Sequence, residues 1–160
     1  MKKSLLVLSA FILMAGSSCQ KKIDIEKEKA TIIKVLNDEG RIFAAGDMQG
    51  LSAIHVRSEM DARLAGTTLY KGWSEIEKLL SDNIENNKKN TSMTNPRNLK
   101  ENIVLKVTGN TAWLTCDNIW KWEENNEQKD FSNRQISFFE KINGEWKFSF
   151  NAFVQLHSAE

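Results

Sequence analysis

Proline is nearly missing from this chain of 160 residues, where Pro96 stands alone. Cysteine and histidine are almost as scarce, with only Cys19, Cys116, His55 and His157. No second histidine or cysteine stands at ligand spacing from any of them, so no metal site is expected. A glycine-rich phosphate loop and a Ser-His-Asp order are also absent, and no cofactor is implied. Neither charge sign prevails, with 22 basic residues against 21 acidic, which leaves no electrostatic footprint for nucleic acid. The one long apolar run is too short to span a bilayer as a permanent helix. Internal repeats and a second domain are missing as well.

That apolar run, Leu5 to Ala15, follows the basic start Lys2-Lys3 and leads into Gly16-Ser17-Ser18 before Cys19. This order is a targeting signal rather than part of a fold. Small residues directly before a cysteine resemble a bacterial lipoprotein signal. The resemblance implies that Cys19 carries lipid, becomes the new N-terminus and holds the chain at a membrane of the cell envelope. Gln20 replaces the aspartate that commonly retains lipoproteins at the inner membrane, which points to the outer membrane, facing the periplasm. An ordinary secretory signal cut near Cys19 is the alternative. With Cys19 lipidated, Cys116 is a lone thiol on a strand, most simply a small buried apolar residue. The chain then divides into a leader (1–18), a tether (19–27), one domain (28–156) and a tail (157–160).

From about Ile25 the pattern turns helical. Ile32, Leu36 and Phe43 share a stripe, with Ile33, Gly40 and Ala44 beside it. Gly46 suits a left-handed C-cap, and Asp47 can N-cap a second helix from Met48 to about His55, with Leu51 and Ile54 inward. Glu59 to Ala65 reads as a brief strand, followed by a loop through Gly66-Thr67-Thr68. Ser74 and Glu77 form a capping box for a third helix whose buried stripe is Ile76, Leu79, Leu80 and Ile84. Residues 86–95 and 123–130 read as polar loops, and Pro96 ends any helix before the sheet.

Four strands are expected downstream: Ile103–Val107, Ala112–Trp122, Arg134–Ile142 and Glu145–Val154. Gly109-Asn110 and Asn143-Gly144 are turn dipeptides that tolerate positive φ. A two-residue turn at Gly109-Asn110 pairs Val107 with Ala112, Leu105 with Leu114 and Ile103 with Cys116, all on one apolar face. The alternation continues inward through Asn118, Trp120 and Trp122, and leaves Trp113, Ile119 and Phe139 outside. For the last hairpin a glycine-bulged turn is preferred, because it makes Ile136, Phe138, Phe148 and Phe150 one inner wall. A strict two-residue turn would instead put Phe139 opposite Phe148.

Several segments carry a resemblance in this order. They are Ala44-Ala45-Gly46-Asp47 with Leu51, Lys71-Gly72, Gly109-Asn110-Thr111-Ala112-Trp113-Leu114, and the run from Glu140 to Phe148. Together they resemble the SnoaL-like branch of the nuclear transport factor 2-like superfamily, over roughly Glu28 to Val154. The resemblance implies an α+β fold in which a cone-shaped, curved antiparallel sheet packs on three N-terminal helices around a pocket. Some members of that superfamily are isomerases, cyclases, dehydratases or epoxide hydrolases, and many have no known activity. Fold alone does not choose among them. The resemblance places Arg63 where a ketosteroid isomerase has its general base, and Glu39 where it has its oxyanion-hole tyrosine. A guanidinium accepts no proton at neutral pH, so that chemistry is not expected. Glu39 and Arg63 would instead pair in the shared cavity.

The candidate ligand-binding residues are therefore Glu39, His55, Arg63, Asn118, Trp120 and Phe138. Glu39–Arg63 either anchors a polar ligand or is an ion pair closing the cone. Trp120 and Trp122, with Trp73, form either an aromatic wall or core. His55 is the candidate catalytic residue, as a base oriented by Glu59 or Asp61; otherwise it fills a half-buried helix end. The first functional expectation is a lipid-anchored protein binding a small, partly apolar molecule in its cone. The others are an accessory protein working through the outer sheet face, or an acid–base enzyme using His55. An apolar outer face implies a homodimer.

Overall fold

The computed structural model of the protein describes residues 24–155. The expected leader, the lipid-bearing Cys19 and His157 lie outside the described residues. Helix α1 (Ile25–Ala44) starts on Asp24, whose carboxylate accepts the Lys27 N–H, and it buries Ile32, Leu36, Glu39, Gly40 and Ile42. Gly46 takes the expected left-handed φ of 67°. Asp47 caps α2 (Met48–Ala53) by accepting the Gly50 N–H at 2.8 Å. That helix stops at Ala53, two residues short of the expected end at His55.

Strands β1 (Ala62–Ala65) and β2 (Thr68–Lys71) form a small hairpin, so the expected loop is only the turn within it. Helix α3 (Gly72–Lys89) begins two residues earlier than the sequence suggests. The Ser74–Glu77 capping box does not form. Instead the Glu75 carboxylate accepts the Lys71 N–H at 2.8 Å, which satisfies the helix start from one turn higher. No helix among the described residues is long and apolar enough to cross a membrane.

Four long strands follow: β3 (Met93–Thr108), β4 (Thr111–Glu124), β5 (Glu127–Ile142) and β6 (Glu145–Gln155). They complete a curved, unclosed sheet of order β2-β1-β6-β5-β4-β3, antiparallel except where β1 runs parallel to β6. Of the two stretches read as polar loops, 86–95 divides among the end of α3, a short turn and the start of β3, and 123–130 is strand on either side of a turn. Asn125 and Asn126 adopt φ of 52° and 64° and make a two-residue turn, which needs no longer loop. Pro96 sits in β3, the edge strand, beside a register shift between Thr94 and Arg97, where its missing N–H costs no ladder bond.

The Gly109-Asn110 hairpin has the expected register near its turn, Val107 opposite Ala112 and Leu105 opposite Leu114, while the third expected pair, Ile103 with Cys116, is lost to a register shift between Glu101 and Val104. The Asn143-Gly144 hairpin does not have the preferred one. Its turn is the strict two-residue type, with φ of 53° and 88°, and it pairs Phe139 with Phe148. The bulge comes later, after Phe139, and lets Phe138 pair with Phe150. Phe139 and Phe148 are therefore buried inside with ring centroids 4.5 Å apart, whereas Phe138 is 47% exposed on the outer face. The expected inner wall of Ile136, Phe138 and Phe150 is thus on the other side of the sheet. The turn type places Ile136 and Phe138 outside, and the extra residue Ser149 in β6 inverts the alternation there and sends Phe150 out as well.

Candidate ligand-binding site

The concave face of the sheet begins apolar at its hairpin end. Ala112, Leu114, Cys116, Phe139, Trp146 and Phe148 pack there against Ile32 and Leu36 of α1. Further along the same strands the face turns polar, through Asn118, Asn133, Gln135, Ser137 and Asn151, all buried. Above these residues lies a cavity of about 290 Å³, lined by side chains that include Glu39, Arg63, Lys100, Asn118, Trp120 and Phe131. A second chamber of about 580 Å³ adjoins it, because Phe43, Asn83, Trp120 and Phe131 border both. Trp122, Ile84 and Met93 line the outer chamber. The Phe43 and Trp120 rings meet edge to face at 5.8 Å on the boundary between the two.

Glu39 projects from α1 into the floor of the inner chamber. Its Oε1 accepts from Arg63 Nη1 at 3.1 Å and from Asn151 Nδ2 at 3.2 Å, and its Oε2 accepts from Gln135 Nε2 at 3.2 Å. Burial alone would push this carboxyl upward. Arg63, and then Lys100 and His55, outweigh burial and hold it below the usual carboxylate range. Arg63 also stacks over the Phe153 ring, 4.5 Å from its centroid.

Lys100 is the residue that sequence reasoning missed. Its Nζ donates to Asn118 Oδ1 at 2.7 Å and to Gln135 Oε1 at 2.5 Å, both neutral acceptors. Burial pushes the ammonium below the ordinary lysine range, against the pull of Glu39. Strict alternation from Ile103 would have put Glu101 and Leu99 inside and Lys100 outside. A register shift between Glu101 and Val104, with Asn102 at φ 50°, inserts an extra residue. Beyond it Lys100 faces Asn118, Asn98 faces Trp120, and Leu99 is turned out. The signal was there in Asn102, since asparagine tolerates the left-handed conformation a bulge requires. Asn98 in turn donates to Asn118 at 2.7 Å and packs on Gly40, where a Cβ would lie 2.6 Å from the Asn98 Cβ.

Of the residues expected at the site, Glu39, Arg63, Asn118 and Trp120 all line the inner chamber. Phe138 lies on the opposite face of the sheet, because the strict two-residue turn puts its neighbour Phe139 inward instead. His55 lines neither chamber. It is buried after α2, with Nδ1 3.4 Å from Asp61 Oδ2, and its ring centroid is 5.2 Å from that of Trp73 and 5.4 Å from that of Phe148. Trp73 belongs to the apolar cluster under α3 rather than to the aromatic wall of the cavity. No group of acidic, histidine or cysteine side chains able to hold a metal ion occurs among the described residues.

No family model matches the sequence, and no curated protein matches it either. Solved structures do match in shape. A protein from Novosphingobium aromaticivorans, described as NTF2-like with a cystatin-like fold, aligns with a TM-score of 0.70 at 14% identity, covering 84% of this chain and 86% of its own. A candidate dehydratase of the NTF2-like family from Streptomyces avermitilis gives 0.71 at 11% identity, covering 84% and 99%. An NTF2-like superfamily protein from Salmonella enterica serovar Typhimurium gives 0.67 at 15% identity, covering 84% and 96%. With three helices, a curved six-stranded sheet whose four long strands follow them and a cavity between, the chain has the nuclear transport factor 2-like fold.

Proposed function

We propose that the protein is a lipid-anchored component of the bacterial envelope, held through Cys19 at the outer membrane and facing the periplasm, and that its cavity binds a small, partly apolar molecule. The observation that carries the binding reading is the open inner chamber, where aromatic walls surround a few converging polar groups. Pockets built this way are the usual places for small ligands. The anchor rests on the Lys2-Lys3, Leu5–Ala15 and Cys19 order. Native mass spectrometry of the protein isolated from its own cell tests both parts. A diacylglyceryl mass on Cys19 and a co-purifying small molecule are the expected results; an unmodified Cys19 removes the anchor, and a chain whose cavity takes up no compound from a metabolite extract removes the binding role.

A second surface also supports a reading. On the outer face, Val104, Trp113 and Phe138 are exposed by 54%, 39% and 47% on adjacent strands. We propose this patch as the contact between two copies of the chain. Trp113→Lys should convert a dimer to a monomer in sedimentation; an unchanged mass with that variant removes the proposal. If this face recruits another protein instead, the accessory reading gains.

A further inference from the structure

We infer that the molecule held in the cavity is an elongated monocarboxylate, its head group at Lys100 and Arg63 and its apolar body running past Trp120 into the outer chamber. The inference deepens the binding reading above and depends on it. It begins with the unspent hydrogen-bonding capacity of the inner chamber. Glu39 is the one carboxylate lining that chamber, and three donors already occupy it. Asn118 Oδ1 accepts twice, and Gln135 Oε1 accepts from Lys100. Donors, by contrast, are in surplus. An ammonium has three and Lys100 uses two, while a guanidinium has five and Arg63 meets Glu39 with one. Against these spare donors stands one buried side-chain acceptor of the lining without a partner, Asn98 Oδ1, so the balance still favours a ligand that accepts.

Charge points the same way. Arg63 and Lys100 against Glu39 leave one positive charge unmatched, and no carboxylate comes within ion-pair distance of Lys100 among the described residues. A buried charge with only neutral partners is costly until a counter-charge arrives. One unmatched cation calls for a monoanion, and a planar guanidinium beside an ammonium suits the two oxygens of a carboxylate.

Shape supplies the remainder. At about 30 Å³ per water in the liquid, the inner 290 Å³ holds on the order of ten non-hydrogen atoms. The 580 Å³ outer chamber continues the path between Phe43, Trp120 and Phe131 toward Trp122, Ile84 and Met93. The charged groups Glu39, Arg63 and Lys100 all line the inner chamber, while the outer one offers Trp122, Ile84 and Met93 along a wall completed by Asn86, Asn87 and Lys88, which suits an amphiphile with its head inward.

Isothermal titration of the full-length protein with decanoate, decan-1-ol and butyrate tests this. Decanoate should bind at least tenfold more tightly than decan-1-ol, and butyrate more weakly than decanoate. Lys100→Met should erase the preference for the acid while still binding the alcohol, and Trp122→Ala should weaken decanoate and leave butyrate unchanged. Equal affinity for acid and alcohol in the wild-type protein overturns the inference and leaves the binding reading standing, with no variant needed. Binding of none of the three overturns the inference; an empty cavity in the metabolite-extract experiment as well separates that result from failure of the broader reading.

Discussion

The two halves of the concave face follow one alternation and do opposite things. On β4 the inward residues run Ala112, Leu114, Cys116, and then Asn118 and Trp120; on β5 Phe139 is followed by Ser137, Gln135 and Asn133. The hairpin half closes against Ile32 and Leu36 by apolar contact, and the indole N–H of Trp146 donates to Glu28 Oε2 at 2.6 Å. The other half faces Glu39, Arg63 and Lys100 and remains open. The pleat aims side chains inward equally in both halves. What differs is the chemistry at the inward positions. One half is sealed mainly by apolar contact, while the other needs a network in which nearly every acceptor has a donor. Stability and binding are thereby assigned to different stretches of the same strands.

The comparison breaks most visibly if the sealed half proves dispensable. Phe148→Ala removes a fully buried ring from that half and should cost about 3–5 kcal/mol in denaturant unfolding. A midpoint that hardly moves would mean the apolar plug is not what holds the sheet on α1. In the open half, Arg63→Met strands the buried Glu39 and should cost about 3 kcal/mol, with ligand binding lost as well. Asn118→Leu takes a partner from Asn98, Lys100 and Asn133 together, and should cost about 1–3 kcal/mol.

Acid sharpens the same contrast. Glu39 titrates below its usual 4.5 in the folded protein, because Arg63, Lys100 and His55 outweigh its burial. Its stabilising contribution is complete above the unfolded value and is lost as pH falls through the lower folded one. Stability should therefore decline below about pH 4.5, with Glu28 and Asp38, also depressed, sharing the slope. Glu39→Gln should flatten part of that decline, whereas Phe148→Ala should lower the whole curve without changing its slope. The smallest effect concerns Cys116, whose thiol is pushed up to about 11, chiefly by burial in the sealed half. It should resist a thiol-specific reagent at neutral pH in the native protein and react fully in denaturant. Rapid native labelling would show that half to be open.

Much of the architecture was legible because it rests on local periodicity. The α1 stripe, the Gly46 and Asp47 caps and the Gly109-Asn110 register all follow from residues within a turn or two of one another. The Glu39–Arg63 pairing came from resemblance rather than periodicity, and it is present at 3.1 Å. Lys100 was missed and Phe138 was placed on the wrong face, for two different reasons. A bulge at Asn102 adds a residue to β3 and turns Lys100 inward, whereas the strict two-residue turn at Asn143-Gly144 sets Phe139 opposite Phe148 and so turns Phe138 out.

The amino-acid sequence by itself determined the three helices, the middles of the four long strands, two of the tight turns and that one sheet face is apolar, but not β2 or the Asn125-Asn126 turn. Each depends on neighbouring residues and on backbone preferences they carry anywhere. Only the tertiary structure decided which side of the sheet Lys100 and Phe138 occupy, and so that the cavity bears a surplus cation. A bulge forms where the sheet must curve over α1 to bury Ile32 and Leu36, and that demand comes from distant parts of the chain meeting, not from the residues at the bulge.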